Sequence, residues 1–301
     1  ASMKDLLAVH PKKYLEEFKA LSDIDGGLLG LRTPFARGGF DIAALSSGLA
    51  ISAISDVLKG KYKNSYSLSR PPGHHCLPDY PNGFCLLANI AVAIEHSIKN
   101  KLGKKFCVID WDVHHGNGTE AIFYNRNDVL TISIHQERNY PVDTGMETHQ
   151  GKQEGLGYNV NLPVPAGSGH QAYLNLFDRV IDPIVSNYSP DIIIVACGFD
   201  AAMIDPLSSM LCSAETFRLL TRKAQKLADE QCNGKLALVH EGGYSEVDVP
   251  FCGHAVLEGL SGSQIIAKDP YEELFNLRQP GSRFENMINE VLNDWEELFL
   301  K

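Results

Sequence analysis

The chain has 301 residues, 44% of them hydrophobic, and a formal net charge of −10 at pH 7. A chain of this length can bury a large core, and its acidic balance argues against direct nucleic-acid binding and against binding to anionic membranes. No composition shift, low-complexity tract or internal repeat marks a boundary, so we expect a single domain over residues 1–301.

The seven cysteines lack the paired close spacing of a zinc ribbon or a disulfide framework. Most of them lie in apolar runs, where cysteine behaves as a small core residue. We also find no signal peptide and no apolar stretch that approaches the roughly 18 residues of a membrane-spanning helix. These features predict a reducing, cytoplasmic compartment and no membrane segment.

Helical and strand patterns alternate along the chain. Apolar spacing predicts helices near residues 12–21, 41–59, 86–99, 171–188 and 214–232, and short β-branched runs predict strands at 106–109, 129–134, 191–197 and 235–240. This alternation predicts an α/β fold with a parallel sheet covered by helices on both faces. The tail over about 268–301 is expected to be helical. Its amphipathic helix near 283–299 either packs on the body of the protein or mediates assembly into a homo-oligomer.

Polar clusters follow the predicted strands, at the edge where open α/β sheets keep their chemistry. The densest cluster is the segment DWDVHHGNGT at 110–119, directly after the first strand. Alternate residues of an extended segment point the same way, so Asp110, Asp112 and His114 can converge on one small volume. A buried cluster of this kind is costly unless a cation neutralises it. Further polar groups follow the other strands or lie on a loop: His135, Asp200, Glu241 to Tyr244, and the pair His74 and His75.

Two carboxylates and one imidazole, from Asp112, Asp200 and His114, make a three-ligand metal set. A closed structural zinc site normally takes four protein ligands. The set therefore fits an open catalytic site better, one in which a metal-bound water attacks a carbonyl group. Seen alone, each aspartate could equally be a helix cap or a turn residue.

The tandem residues His74 and His75 lie on a loop stiffened by proline and glycine. Two imidazoles near a metal-bound water suit general acid and general base roles, which need a pKa near neutrality. Asp110 and Asn117 are suited to accept hydrogen bonds from the distal nitrogens of these histidines. An aspartate and an asparagine would tune the two rings differently.

Tyr244 follows two glycines, which allow a close approach of the backbone. Its hydroxyl can donate to the oxyanion of a tetrahedral intermediate, although a tyrosine after two glycines is also an ordinary turn aromatic. Phe84 and Tyr140 can wall a narrow apolar channel, although either one taken alone is more typical of core packing.

Six motifs together resemble the zinc-dependent histone deacetylase superfamily: RPPGHH, NGFCLLANIAVA, DWDVHHGNGT, TISIHQ, CGFDAAMIDPL and HEGGY. Within it, the chain is similar to the bacterial histone-deacetylase-like amidohydrolases related to the class II enzymes. The resemblance runs from about Ser2 to Gly262, with the core motifs within 70–244. It implies the arginase–deacetylase α/β fold, with a central parallel sheet of about eight strands, the first of which is in doubt here.

The resemblance also implies a role for each site residue. One zinc ion would be held by Asp112, His114 and Asp200. The acid/base histidines would be His74 and His75, with Asp110 and Asn117 as their partners, and Tyr244 would polarise the carbonyl. The carbonyl of Gly83 would hold the substrate amide between Phe84 and Tyr140. One or two structural potassium ions are implied as well. The first would use Asp110, Ser133 and the backbone oxygens of Asp112, His114 and Ile134, and the second the carbonyls around Phe123, Arg126 and Val129, with Tyr158 nearby.

The implied activity is hydrolysis of the amide of an Nε-acyl-lysine on a peptide or protein, with acetate as the default product. An acetylpolyamine amidohydrolase, acting on a small acylated amine, is the nearest alternative, although no pair of rim carboxylates is evident. An arginase-like binuclear manganese hydrolase would need an acidic ligand where Ala202 stands. A non-catalytic acyl-lysine-binding scaffold often has the tyrosine altered, whereas Tyr244 is intact.

Two departures from the family pattern bear on specificity. Relatives usually carry several tens more residues before the position that matches Ser2, so stability, oligomer contacts or rim specificity are expected to differ. Many relatives also place an acidic residue in the rim loop, and none lies around Arg32-Thr33-Pro34. We therefore expect loose recognition of peptide sequence.

Overall fold

The strands of the computed structural model, which describes residues 1–300, are β1 (Gly26–Leu28), β2 (Pro34–Ala36), β3 (Asn64–Ser67), β4 (Phe106–Asp110), β5 (Val129–Gln136), β6 (Asn159–Val164), β7 (Ile192–Cys197) and β8 (Leu236–His240). A 6-stranded sheet has the order β3-β8-β7-β4-β5-β6, and all of its neighbouring strands are parallel. Strands β1 and β2 form a separate antiparallel pair. The sheet thus has six strands where about eight were expected, because the residues before β3 form helices and this small hairpin.

The helices are α1 (Met3–Leu6), α2 (Lys12–Ile24), α3 (Gly39–Leu58), α4 (Asn89–Lys99), α5 (Asn117–Phe123), α6 (His170–Leu176), α7 (Asp182–Tyr188), α8 (Ala214–Cys232), α9 (Val249–Ser261), α10 (Glu272–Leu277) and α11 (Ser282–Phe299). A π-helical turn at Phe177–Ile181 joins α6 to α7, and a 3₁₀ turn lies at Gln153–Gly155. The five helices and four strands predicted from the sequence are confirmed, with ends displaced by a few residues.

The central strands β4, β7 and β8 are buried along their whole length. In β7, Ile193 and Val195 face one apolar cluster, with α6 to α9 and α11, while Ile192 and Ile194 face another, with α3, α4 and α5. Burial on both faces explains why the sequence shows continuous apolar runs and no alternation. All seven cysteines are buried and free.

Sequence patterns missed the two edge strands of this sheet, β3 and β6. Strand β3 reads NSYS and β6 reads NVNLPV, so neither contains a β-branched apolar run. The buried asparagines of β6 share one carboxylate as acceptor, since Asn159 Nδ2 and Asn161 Nδ2 each donate to Glu120 Oε2 at 2.7 Å. Hydrogen bonding therefore replaces apolar packing on one face of β6, while Val160, Leu162 and Val164 join the larger apolar cluster on the other.

Helix α3 contradicts the expectation that no segment reaches membrane-spanning length. It has 20 residues and is apolar enough to cross a membrane by length and composition. A helix was predicted at 41–59, but the serines and glycines scattered along it interrupt its apolar runs. Half of its apolar window is buried inside the fold (50%), and Ala50, Ile54 and Val57 pack in the same cluster as α4. Helix α3 thus fills the core layer on one face of the sheet.

The C-terminal helix α11 packs on the body of the protein, which is one of the two outcomes that the sequence left open. Ile288, Leu292 and Trp295 lie on one face of the helix and join the larger apolar cluster. At the rim of this contact, Arg179 Nε donates to Glu296 Oε1 at 2.8 Å. The amphipathic pattern of the tail therefore reflects burial against α6 and the π-helical turn.

His10 stabilises the fold as a neutral, buried imidazole. Its Nδ1–H donates to the carbonyl of Pro78 at 2.7 Å, and its Nε2 accepts from the backbone N–H of Ala88 at 3.0 Å. Burial lowers its pKa from 6.5 to about 4. On unfolding the ring regains its ordinary pKa, so the unfolded state binds a proton more readily and stability falls as the pH drops from about 6.5 towards 4.

We therefore expect acidification from pH 7.5 to pH 5 to remove about 2 kcal/mol of unfolding free energy through His10 alone. Denaturant unfolding of wild type and of His10→Gln at both pH values would measure this. The variant should be less stable at pH 7.5 but should lose less stability on acidification, whereas the control His149→Gln should behave as wild type. An acid loss in His10→Gln equal to that of wild type would contradict the assignment.

Candidate active site

The carboxyl ends of β4, β7 and β8 meet at one edge of the sheet. Asp110, the last residue of β4, pairs in register with Ala196 of β7, and Cys197 of β7 pairs with His240 of β8. The segments that follow these strands carry Asp112 and His114, then Asp200, and then Glu241 to Tyr244. Parallel pairing thus gathers residues from three distant parts of the chain.

Asp112, His114 and Asp200 form a buried cluster. One ligating atom from each residue lies within 4.8 Å of the other two. His114 Nδ1 lies 3.2 Å from Asp112 Oδ1 and 3.0 Å from Asp200 Oδ2. The second oxygen of each carboxylate is held by the backbone, because Asp112 Oδ2 accepts from Gly242 N–H and Asp200 Oδ1 accepts from Val113 N–H, both at 2.8 Å. These bonds fix the two carboxylates so that Asp112 Oδ1 and Asp200 Oδ2 face His114 Nδ1.

The electrostatics of this cluster favour a bound cation. Burial and the neighbouring Asp112 raise the pKa of Asp200 to about 7. Burial opposes the charge of His114, but hydrogen bonds to Asp112 and Asp200 still raise its pKa to about 11. The two buried carboxylates repel each other unless a positive charge lies between them. A divalent cation would supply that charge.

Two glycines leave room for the cluster. A Cβ atom on Gly242 would lie 2.3 Å from Asp200 Oδ2 and 2.6 Å from Asp112 Oδ2, and one on Gly198 would lie 2.3 Å from Asp112 Oδ2. Any side chain at either position would displace a carboxylate. The oxygen and nitrogen donors, their convergence and this space all fit a single Zn²⁺ ion held by three protein ligands.

Gly242→Ala is expected to lower metal affinity and turnover by 10-fold or more, as removing a residue that orients a ligand commonly does (~10–100-fold). Metal titration and steady-state kinetics would measure both quantities. Gly281→Ala is the matched control, because no atom lies within 4 Å of a Cβ at that position and its φ is −81°. Unchanged metal affinity in Gly242→Ala would show that the cluster does not bind the ion.

The tandem histidines lie beside the cluster, each with the partner expected from the sequence. His74 Nδ1–H donates to Asp110 Oδ2 at 2.9 Å, and His75 Nδ1–H donates to Asn117 Oδ1 at 2.8 Å. Burial disfavours the charge on both rings, but Asp112 and Asp110 nevertheless raise the pKa of His74 to about 10. Burial and the charge of His74 hold the pKa of His75 well below its ordinary value. The carboxylates beside His74, and the burial of His75 next to that charged ring, thus shift the pKa values of the two histidines in opposite directions.

Sequence reasoning assigned no role to Glu241, which holds the histidine loop in place. Its Oε2 accepts from the backbone N–H groups of Gly73 at 2.7 Å and His74 at 3.0 Å. Burial raises its pKa to about 7, and its Oε1 has no hydrogen-bond partner among residues 1–300. Its position directly after the buried strand β8 was the available signal, since Asp112 follows β4 at the equivalent level: Asp110 is level with Ala196, and Ala196 with Val239.

A cavity of about 260 Å³ opens onto the cluster between two aromatic walls. Its lining comprises Arg32, His75, Gly83, Phe84, His114, Asn139, Tyr140, Val142, Leu207 and Tyr244. Tyr140 packs edge-on against His75, with ring centroids 5.1 Å apart. Gly83 lies where a Cβ would approach His75 Cδ2 at 2.4 Å, and its φ of +51° also favours glycine. The three residues predicted to contact substrate, Gly83, Phe84 and Tyr140, are thus brought together.

Tyr244 forms part of the cavity wall next to the cluster. Its ring centroid lies 5.8 Å from that of Phe84 and 6.5 Å from that of His114. Its backbone N–H donates to Asp205 Oδ2 at 2.7 Å, a contact that the sequence did not suggest. Burial and the nearby carboxylates of Asp112 and Asp200 raise the pKa of its phenol, so the hydroxyl keeps its proton at neutral pH.

The residues predicted for potassium lie in two regions. Asp110 and Ser133 are paired in register across β4 and β5 and line a small cavity of about 10 Å³, while Ile134 follows in β5. In the second region, Phe123 ends α5 and its carbonyl accepts from Arg126 N–H at 2.9 Å. Val129 begins β5, next to Tyr158, whose carbonyl accepts from Thr131 N–H. Potassium binding at either place stays a prediction.

The parallel sheet and the side chains gathered at its edge define an α/β protein with a buried cluster that could hold a metal ion. A model of the histone deacetylase domain matches residues 1–260. The chain therefore belongs to the histone deacetylase family, as the motifs predicted.

Similar proteins support the same conclusion. The chain is 48% identical over 294 residues to a histone deacetylase-like amidohydrolase of Pseudomonas aeruginosa, covering 98% of this chain and 77% of that relative. It is 36% identical over 293 residues to a probable deacetylase of Archaeoglobus fulgidus, covering 97% and 77%. The crystal structure of the HDA15 HD domain superposes with a TM-score of 0.85 at 32% identity, covering 99% of this chain and 80% of that one. Relatives named deacetylases and amidohydrolases support a hydrolase.

Proposed function

We propose that this protein hydrolyses the amide of an Nε-acyl-lysine on a peptide or protein, with acetyl-lysine as the default substrate. One observation carries the proposal: His75, His114 and Tyr244 line the same cavity, between the aromatic walls of Phe84 and Tyr140. A cavity with two aromatic walls suits the methylene stem of lysine, and the polar groups beyond them suit its acyl amide.

In this proposal Asp112, His114 and Asp200 hold one zinc ion. The ion would supply Lewis-acid chemistry, since a divalent cation lowers the pKa of a water and polarises a carbonyl group. The carbonyl of Gly83 accepts a hydrogen bond from the substrate amide. The monovalent sites at Asp110 and Ser133, and near Phe123 and Tyr158, would hold potassium in a structural role.

The two histidines have different roles, because His75 carries out the proton transfers and His74 does not. His75 is neutral, its Nδ1–H is engaged by Asn117, and its ring reaches the cavity, so its Nε2 can accept the proton of the attacking water. The same ring then returns the proton to the leaving amine. His74 keeps its proton beside Asp110 and contributes positive charge. Tyr244 donates its phenolic hydrogen to the developing oxyanion.

Steady-state assays of the zinc-loaded full chain would test this proposal. An acetyl-lysine peptide and N-acetylputrescine should be compared, with His75→Ala as the control for contaminating activity. We expect the peptide to be turned over and His75→Ala to be inactive. Faster turnover of N-acetylputrescine would favour the polyamine alternative, and peptide binding without turnover would favour the scaffold alternative.

A further inference from the structure

The mouth of the cavity carries one positively charged side chain, that of Arg32. The guanidinium carbon of Arg32 lies 5.9 Å from the centroid of the Tyr140 ring, and the residue is exposed to solvent. No carboxylate lies within ion-pair distance of it among residues 1–300. The lining of the cavity contains no carboxylate either. The charge of Arg32 is therefore available to a ligand.

The backbone holds Arg32 in position. The segment pairs with the loop that carries Gly83 and Phe84, through Leu31 N–H to Pro81 O at 3.2 Å, Gly83 N–H to Leu31 O at 3.0 Å, and Phe84 N–H to Arg32 O at 3.1 Å. Arg32 itself has φ +58°, a conformation that costs energy in a residue with a Cβ and is maintained here by those bonds. The backbone of Arg32 is thus fixed relative to the walls that would grip the substrate, and its side chain starts from the rim of the cavity.

The acidic group closest in sequence to the mouth residue Leu207 is already engaged. Asp205 accepts from the backbone N–H of Leu207 at 2.9 Å and from that of Tyr244 at 2.7 Å. It therefore orders the loops on that side, and it is not among the residues that line the cavity. The other side chains there, Phe84, Val142 and Leu207, are exposed and apolar.

We propose that Arg32 determines substrate specificity by selecting acyl-lysines that carry a carboxylate next to the lysine backbone. The inference rests on the proposed function, because an acyl group bound near the cluster places the lysine backbone at the mouth. The carboxylate is either the chain terminus of a C-terminal acyl-lysine or an acidic side chain beside it. A guanidinium binds either one through paired hydrogen bonds. A polyamine would bring its ammonium to the same place, so Arg32 disfavours that class of substrate.

The test uses four acetyl-lysine peptides that differ only in the groups next to the acetyl-lysine, which would lie at the mouth of the cavity. They are assayed with the zinc-loaded full chain. One is amidated with neutral flanking residues, one ends in a free carboxylate at the acetyl-lysine, one has Glu after the acetyl-lysine, and one has Lys there. We expect kcat/KM for the two acidic peptides to exceed that for the neutral one by about two- to fivefold, the range of a partly exposed charge pair. The peptide with Lys should be the poorest, and high salt should reduce the spread.

Arg32→Gln should abolish this ranking and Arg32→Glu should reverse it, whereas Arg37→Gln, which changes an exposed arginine outside the cavity, should leave it intact. Ratios between peptides within one variant do not depend on the folded fraction, so a partly unfolded variant still gives a result. The free-carboxylate and Glu peptides together show which source of carboxylate is preferred. Equal ranking in wild type and Arg32→Gln would overturn the inference while the proposed function stands. Failure of wild type to hydrolyse any of the four peptides would overturn the proposed function, and the inference with it.

Discussion

Replacing Tyr244 by Phe is expected to lower kcat by about 10²–10³-fold, the usual cost of removing one oxyanion-stabilising donor. The ring would remain packed against Phe84, so the cavity should keep its shape and KM should change little. A stopped or continuous assay of acetate release from an acetyl-lysine peptide would measure kcat. A thermal melt would show whether folding is intact.

Tyr140→Phe is the matched control for that variant. Tyr140 lines the same cavity, but its hydroxyl donates to Asn82 Oδ1 and so holds the Tyr140 ring in the cavity wall. Its loss should cost far less in kcat than the loss of the Tyr244 hydroxyl. Equal kcat in Tyr244→Phe and wild type would remove Tyr244 from the mechanism.

Stripping the metal should reduce turnover by more than about 100-fold, since even disturbing a group that only orients a metal ligand costs 10–100-fold. One equivalent of Zn²⁺ should restore activity, with one ion bound per chain by elemental analysis. Removal of the ion should also lower the melting temperature, because a ligand that binds only the folded state stabilises it.

Asp200→Asn should show the same loss without any chelator, because an amide supplies no negative charge to the ion. Asp294→Asn changes an exposed aspartate far along α11 and should retain both activity and metal content. Full activity in thoroughly stripped protein, or unchanged zinc content in Asp200→Asn, would contradict the proposed metal centre.

Much of the site could be predicted because its chemistry follows the periodicity of strands. Asp110 ends a buried strand, and the residues after neighbouring strands of a parallel sheet must converge, so the sequence alone could place Asp112 and Asp200 together. The tandem histidines lie on a loop, so strand periodicity did not place them; their residue types suggested that they belong to the same site, and the family motif supported this. Their hydrogen bonds to Asp110 and Asn117 have the predicted partners.

What the sequence did not reveal depends on tertiary contacts. Glu241 acts through backbone amides of a loop that is distant in sequence, and Asp205 acts through the amide of Tyr244. Neither partner can be read from a pattern of side chains. Strands β3 and β6 were missed for a related reason, since their asparagines find partners distant in sequence: Glu120 for Asn159 in β6, and Gln225 and the carbonyl of Leu260 for Asn64 in β3. The sequence showed only that no acidic residue lies around Arg32. The structure places the guanidinium of Arg32 near the Tyr140 ring, so its positive charge lies at the mouth of the cavity.

The contact of α11 with the rest of the molecule sets a limit on shortening the chain. The family match stops at residue 260, yet Trp295 and Leu292 lie in the same cluster as β7 and Phe177. Ending the protein at residue 260 would expose this apolar surface to solvent and favour aggregation. Residues 261–300 therefore belong to the minimal unit for expression, even though they supply none of the chemistry.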